Sequence, residues 1–521
     1  MRIINFLFIF SSFISLSQVD VLDYNIEIKL SDETDEIIVT EVVSVYFEKE
    51  TPFFKLDLAN VDQENKGMIL VDKLIIENDQ PVSFEHKNDQ LIITTKNAII
   101  DDTNYYKFTY SGIPKTGLII GKNKFNERTF FGDNWPNRAH QWIACVDHPN
   151  EKAKINFTVI APKHYECVAT GTLQLKSNFD SKNNKFEFKS NELLPTKVMV
   201  IGVAEFSIDR LTSEFPFPVQ SWVYKKDSDK GFSDMKVANE IIHFFIKNVG
   251  SYPFEKLYNV QSTTQFGGME NAGNIFYDEN AIKGDNSMEA LMAHEIAHQW
   301  FGNSASESDW CHLWLSEGFA TYFTDLYWLN KYGETYFQDR LAGERKKVIS
   351  FSKQYNHPVL DTTYGDLMHL LNPNSYQKGA WILHMLHEKI GDDSFWKGIK
   401  SYYNQYQFSN ASTDDLQRVF ENASNTDLSL FFNQWVKSYG HPIISKEMTR
   451  KRKRYHLHIE QSQENLFSFP LEIEIIYRKG LSTIKTLEIS KSVEEFDFSS
   501  KKKVKKIILD PSTKLLFESV N

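Results

Sequence analysis

His294-Glu295-Ile296-Ala297-His298, with Glu317 following after eighteen intervening residues, is the stretch on which the reading of this chain turns. Two histidines four apart stand one above the other on one face of an α-helix. Their imidazole nitrogens can reach a single zinc ion at roughly 2.0–2.1 Å. Glu295 is rotated off that line, so its carboxylate falls beside the metal rather than on it. There it can take a proton from water activated at the site. Leu291, Met292, Ile296 and Ala297 supply the apolar side of the helix. Asn286 reads as its N-cap, Glu289 as the residue that returns a bond to the cap amide, and Gly302 as its stop.

Leu313-Trp314-Leu315-Ser316-Glu317-Gly318-Phe319-Ala320-Thr321 opens a second amphipathic helix that runs to about residue 329 and packs back on the first. Two His and one Glu leave the fourth zinc position open, which is the arrangement of a catalytic site. The five-residue motif alone also fits an ordinary helix with two surface histidines. Glu317 at this spacing, inside an aromatic-rich helix, tells against that.

Two further motifs flank the pair. Gly267-Gly268-Met269-Glu270-Asn271 follows a strand pattern at residues 258–264. Its consecutive glycines allow close backbone approach to a ligand, and Glu270 can present a carboxylate to a cation. Ser375-Tyr376-Gln377-Lys378-Gly379-Ala380 opens a helix running to about residue 390. Either motif alone is commoner as a plain loop or a packing tyrosine.

Together, and in this order, the motifs resemble the gluzincin zinc aminopeptidases of the aminopeptidase N and leukotriene A4 hydrolase type, the M1 metallopeptidases. The His294–Asn303 run followed by Glu317 carries the zinc signature, and the resemblance extends more weakly from about residue 20 to the end. It implies zinc held by His294, His298 and Glu317, with Glu295 as general base. It also implies Tyr376 as hydrogen-bond donor to the tetrahedral oxyanion. The segment Gly267, Gly268, Met269, Glu270 and Asn271 would bind substrate, Glu270 pairing with the free ammonium of a peptide. A loop of the N-terminal domain is expected to help hold that amine, with Asp133 or Asn134 standing in for the usual residue. Many relatives continue into a large C-terminal helical domain. This chain is expected to be a bacterial-like short form without that domain and with a more open site.

The fold class expected is multidomain α+β. Residues 19–206 alternate apolar and polar with β-branched enrichment and read as an N-terminal all-β domain, saddle-like by the resemblance. Residues 207–440 carry helical patterns, among them 233–249, 393–406, 412–424 and 428–439. They are expected to form the mainly helical, thermolysin-like zincin catalytic domain. Residues 441–521 return to five or more short strands, a small β-sandwich.

Length and composition agree with this. The 521 residues carry a net charge of −11, which argues against nucleic acid as a partner. The short basic runs at 450–454 and 501–506 read as solvated faces. Three cysteines are too few for a disulfide framework and leave room for one bridge. His456 and His458, two apart on one strand face, read as surface residues rather than chelators. Residues 1–18 show a charged start, an apolar run and small residues, the pattern of a signal peptide. Export to the periplasm or the exterior is expected, with no transmembrane segment in the mature chain. The leading function is a zinc aminopeptidase acting on peptides with a free N-terminus. The alternatives are a zinc endopeptidase and a catalytically inactive peptide-binding protein of the same fold. An epoxide hydrolase side activity is left open by the kinship.

Overall fold

The computed structural model describes residues 19–211, 215–478 and 480–520. The expected signal peptide at residues 1–18 lies outside the described residues.

Strands fill the first two hundred residues because their apolar side chains recur at every second position. In Asp20–Lys29, Tyr24, Ile26 and Ile28 point into the core while their neighbours face outward. This strand runs antiparallel to Ile37–Tyr46 and parallel to Lys152–Pro162, at the middle of a nine-stranded sheet. A second sheet orders Glu166–Ala169, Ile201–Ala204, Arg128–Asp133 and Gly117–Lys122. Its strand Arg128–Asp133 is buried over nearly its whole length and delivers the loop beginning at Asn134 towards the middle of the molecule.

One residue beyond Ile201–Ala204 the chain enters a different sheet. Its order is Phe206–Arg210, Val219–Tyr224, Leu257–Ser262, Asn274–Asp278 and Gly268–Met269. The three inner strands are parallel, and Gly268–Met269 closes the edge in the antiparallel sense. Nine α-helices occur among the described residues: α1 Ser228–Met235, α2 Ala238–Asn248, α3 Glu289–Ala297, α4 Trp314–Tyr332, α5 Glu334–Ser352, α6 Gly379–Ile390, α7 Asp392–Tyr406, α8 Thr413–Ser424 and α9 Ser429–Trp435.

Several expectations need correction. The single helix expected at 233–249 is two, α1 and α2, because the segment covers two surfaces. Gly231 of α1 lies against Val223 of the sheet, whereas α2 turns Ile241, Ile242 and Phe245 into the core beside α3. Helix α5 was not anticipated, although Phe337, Leu341 and Val348 form its buried stripe. The last helix is shorter than residues 428–439, ending at Trp435. The signal at Ser412 is stronger than expected: its hydroxyl and the Asp415 carboxylate cap α8 reciprocally.

Residues 443–519 form a four-stranded and a three-stranded sheet. Arg454–Gln461 and Phe469–Tyr477 lie at the interior of each and bury alternate residues. The first strand, Ile443–Lys451, was not anticipated; most of it is exposed, so its sequence carries little apolar signal. His456 and His458 pair with Glu495 and Asp497 across this exposed sheet face. Cys145, Cys167 and Cys311 are all free thiols, so no bridge forms among them. Among the described residues no helix is long and apolar enough to cross a membrane.

Candidate metal centre and active site

Helix α3 presses Met292, Ala293, Ile296 and Ala297 into the core and turns His294 and His298 towards α4. Its start differs from the sequence expectation. Asn286 lies three residues outside the helix with φ 61°, and its N–H is held by the buried Asp234 of α1, 2.8 Å away. The amides of Lys283 and Gly284 donate to the same carboxylate. Glu289 therefore does not close a capping box. It accepts from Tyr327 at 2.6 Å and Tyr332 at 2.9 Å and pairs with Lys331, tying the start of α3 to the end of α4.

The three candidate ligands converge. Nε2 of His294 and Nε2 of His298 are 3.1 Å apart. The Glu317 Oε2 is 3.2 Å from the first and 3.3 Å from the second. Tetrahedral ligands at roughly 2.0–2.1 Å from a zinc ion should lie about 3.3 Å from one another, so the set fits that metal without rearrangement. The orientation of His298 is fixed from behind. Its Nδ1 donates to the Phe301 carbonyl at 3.1 Å, so the proton that a metal would displace is the one on Nε2, and Ser316 Oγ lies 3.0 Å from the same Nδ1. Burial works to raise the Glu317 carboxyl. The charge of His298 and hydrogen bonds from both histidines outweigh it and hold the group below the usual carboxylate range.

Tyr376 reaches this centre through a backbone crossing. A Cβ on Gly318 would lie 2.9 Å from the Cα of Gly379, and the reverse distance is also 2.9 Å, so only glycines let α4 and α6 touch here. The expected helix start at Tyr376 is instead a single wide π-type turn, Asn374–Lys378, that precedes α6. The turn is pinned by Ser375 Oγ donating to Leu370 O at 2.7 Å and by Lys378 Nζ donating to Gly440 O at 3.0 Å. It lays the Tyr376 ring parallel to that of His294 at 6.0 Å. Burial, reinforced by Glu317, Glu270 and Glu295, pushes the phenol well above its ordinary value, so it stays protonated and able to donate.

The edge strand Gly268–Met269 runs along α3. A Cβ at Gly268 would sit 2.2 Å from Oε1 of Glu295, which is why glycine is required there. Two residues beyond the ligand pair hold this strand in place. Gln299 Nε2 donates to the Glu270 carbonyl at 2.8 Å, and Asn303 Nδ2 donates to the same oxygen. Gln299 Oε1 also accepts from the Gly273 amide at 2.9 Å. These bonds cross about thirty residues of sequence, and the roles of Gln299 and Asn303 were missed in the sequence, although both stand inside the quoted run. Glu270 is only 5 % exposed, and its Oε1 has no hydrogen-bond partner among the described residues. Burial raises both Glu270 and Glu295, opposed by the charge of His298.

A cleft of about 240 Å³ joins these groups: Gly267, Gly268, Met269, Glu270, His294, Glu295, His298, Glu317 and Tyr376 all line it. Asn271 does not; it is buried in the turn beneath, its carbonyl accepting from the Asn274 amide at 3.0 Å. Asp133 and Asn134 also stay out of the cleft. Asp133 pairs with Arg138 at 2.8 Å, and Asn134 is used up by the carbonyls of Thr196 and Met199 and the indole of Trp142. The loop residue that lines the cleft is the next one, Trp135.

Residues 21–198 match the Peptidase M1 N-terminal domain, and residues 233–435 match the Peptidase family M1 domain. The chain belongs to the M1 family of peptidases. It is similar to glutamyl aminopeptidase of Sus scrofa, at 28 % identity over 62 % of this chain and 36 % of that protein. It is also similar to the tricorn protease-interacting factor F2 of Thermoplasma acidophilum, at 27 % identity over 82 % of this chain and 55 % of that protein. The chain thus spans about a third to a half of the length of these curated relatives. The crystal structure of Legionella pneumophila aminopeptidase A in complex with aspartic acid has the same fold. Its TM-score is 0.82 at 16 % identity, over 97 % of this chain and 60 % of that one.

Proposed function

We propose that the chain is a zinc-dependent aminopeptidase that removes the first residue of peptides with a free N-terminus. The observation that carries this is the buried carboxylate of Glu270, whose Oε1 has no hydrogen-bond partner among the described residues, in one cleft with the three-ligand cluster. Such a group has a use for a substrate ammonium and none for an internal peptide bond.

His294, His298 and Glu317 would hold the metal. Zinc, when bound, would polarise the scissile carbonyl and acidify a water at the site. Glu295 would accept the proton of the attacking water and pass it to the leaving amine. Its burial supports this role, since a carboxyl raised from the usual range binds a proton more readily near neutral pH. Tyr376 would donate to the oxyanion that forms on the carbonyl carbon. Glu270 would pair with the ammonium and set the scissile bond one residue away.

We assign the domains as residues 19–206, 207–440 and 441–521, the last a small β-sandwich. The alternate burial of Tyr455, Leu457 and Ile459 on one sheet and of Leu471, Ile473 and Ile475 on the other supports this. The pattern at residues 1–18 supports export through a signal peptide.

N-acetylation of a peptide removes the charge that Glu270 would recognise, and acetylated peptides should be poor substrates. Glu270→Ala should weaken cleavage of free-amine peptides by about ten- to a hundred-fold, the scale of a lost charge-assisted contact. Products read by mass decide it: equal rates on free and acetylated peptides, or cuts at internal bonds, would overturn the exopeptidase assignment. Tyr376→Phe removes one hydroxyl without emptying space. It should leave KM nearly unchanged and lower kcat by about 10²–10³-fold. A near-normal kcat would show that the phenol only packs on His294.

A further inference from the structure

Apart from the ligands, the carboxylates, Tyr376 and the two glycines, the cleft is lined by Trp135, Phe266, Met269, Leu291 and Leu371. All five are apolar or aromatic. Trp135 is packed edge-on to Phe266 at 6.3 Å and to Trp310 at 6.2 Å, so it is a fixed wall rather than a movable one. Phe266, Leu291 and Leu371 are half-buried, which leaves apolar surface facing the opening. No lysine or arginine lines the cleft among the described residues. Arg138, three residues past Trp135, is turned to Asp133 and to Gln265 Oε1 and does not reach the cleft.

We infer that this wall receives the side chain of the first residue of the substrate, and that the cleft selects peptides beginning with a large, uncharged apolar residue. The inference rests on the aminopeptidase reading and deepens it. Covering a leucine- or phenylalanine-sized side chain is worth about 10- to 100-fold in binding over leaving it in water. An acidic side chain would lose its hydration against Trp135, Phe266 and Leu371 and find no cation. The lost hydration alone should reject it by more than about 100-fold relative to leucine. The likeness to glutamyl aminopeptidase is therefore not expected to extend to this wall.

The test titrates the zinc-loaded full chain with the hydroxamates of phenylalanine, leucine, alanine, glutamate and lysine by calorimetry. The corresponding aminoacyl 4-nitroanilides are assayed in parallel. Phenylalanine and leucine should bind tightest, alanine about 10- to 100-fold more weakly, and glutamate weakest. A glutamate or lysine hydroxamate binding as tightly as leucine overturns the inference, whether or not any anilide is cleaved. The expected binding order without cleavage of any anilide overturns the aminopeptidase reading instead and leaves the apolar wall standing. Trp135→Ala should shrink the leucine-over-alanine preference by at least about five-fold, within the range of one lost apolar contact surface. Phe266→Ala, at a half-buried position, makes the same comparison should Trp135→Ala fail to fold. An unchanged preference in the folded variant overturns the assignment of this wall.

Discussion

Glu295→Gln is expected to keep its zinc and to lose about 10²–10⁴-fold in kcat, the usual contribution of a positioned general base. The substitution exchanges one oxygen for an amide nitrogen of nearly the same size. The tight contact with Gly268 is thus preserved, and so is the run of the edge strand along α3. The amide cannot take the proton of the attacking water, and its loss falls on the chemical step. The ligand atoms of His294, His298 and Glu317 are untouched. Metal content by elemental analysis, measured with kcat on one peptide, separates the possibilities. Zinc that falls in proportion to the rate would make Glu295 a ligand or a support of the ligands.

His298→Ala should lose both metal and activity. His298 is 1 % exposed and supplies one of the three ligand atoms of the cluster. The variant should bind well below one zinc per chain and show no cleavage above background. The wild-type chain should be inactivated by a chelator and restored by zinc. The substitution also deserts the Phe301 carbonyl and Ser316 Oγ, a cost of about 1–3 kcal/mol in stability, small against a core of this size. Circular dichroism should therefore remain native. Full activity of a chain verified to be free of metal would sink the metal assignment.

The parts of the site legible in the sequence are those written in local spacing. His294, Glu295 and His298 sit on one helix because i and i+4 share a face, and Glu317 falls opposite them because α4 packs back on α3 after the connection 298–313. The strand patterns before residue 206 are legible for the same reason, their period of two surviving in Asp20–Lys29 and Ile37–Tyr46. What escaped depends on partners distant in the chain. Asn286 has the chemistry of an N-cap, yet Asp234, fifty-two residues earlier, claims its amide and holds it outside the helix. Gln299 and Asn303 look like helix-end polar residues until the Glu270 carbonyl is placed against them. Asp133 and Asn134 were the obvious polar candidates for the cleft, but Arg138, Thr196 and Met199 use them, and the indole beside them lines it instead. Helix α5 carried a readable stripe at Phe337, Leu341 and Val348 that its many charged residues concealed.

The bonds from Gln299 and Asn303 to the Glu270 carbonyl have a mechanical meaning. Both donors follow directly on the ligand helix, so the strand bearing Glu270 and the histidines that would hold the metal move as one body. A shift of the half-buried Leu371 on the far side of the cleft would leave the separation of ammonium site and metal site unchanged. That separation would act as a rigid gauge, cut to the length of a single residue. Fidelity in where the chain is cut would then be decoupled from tolerance in which side chain is accepted.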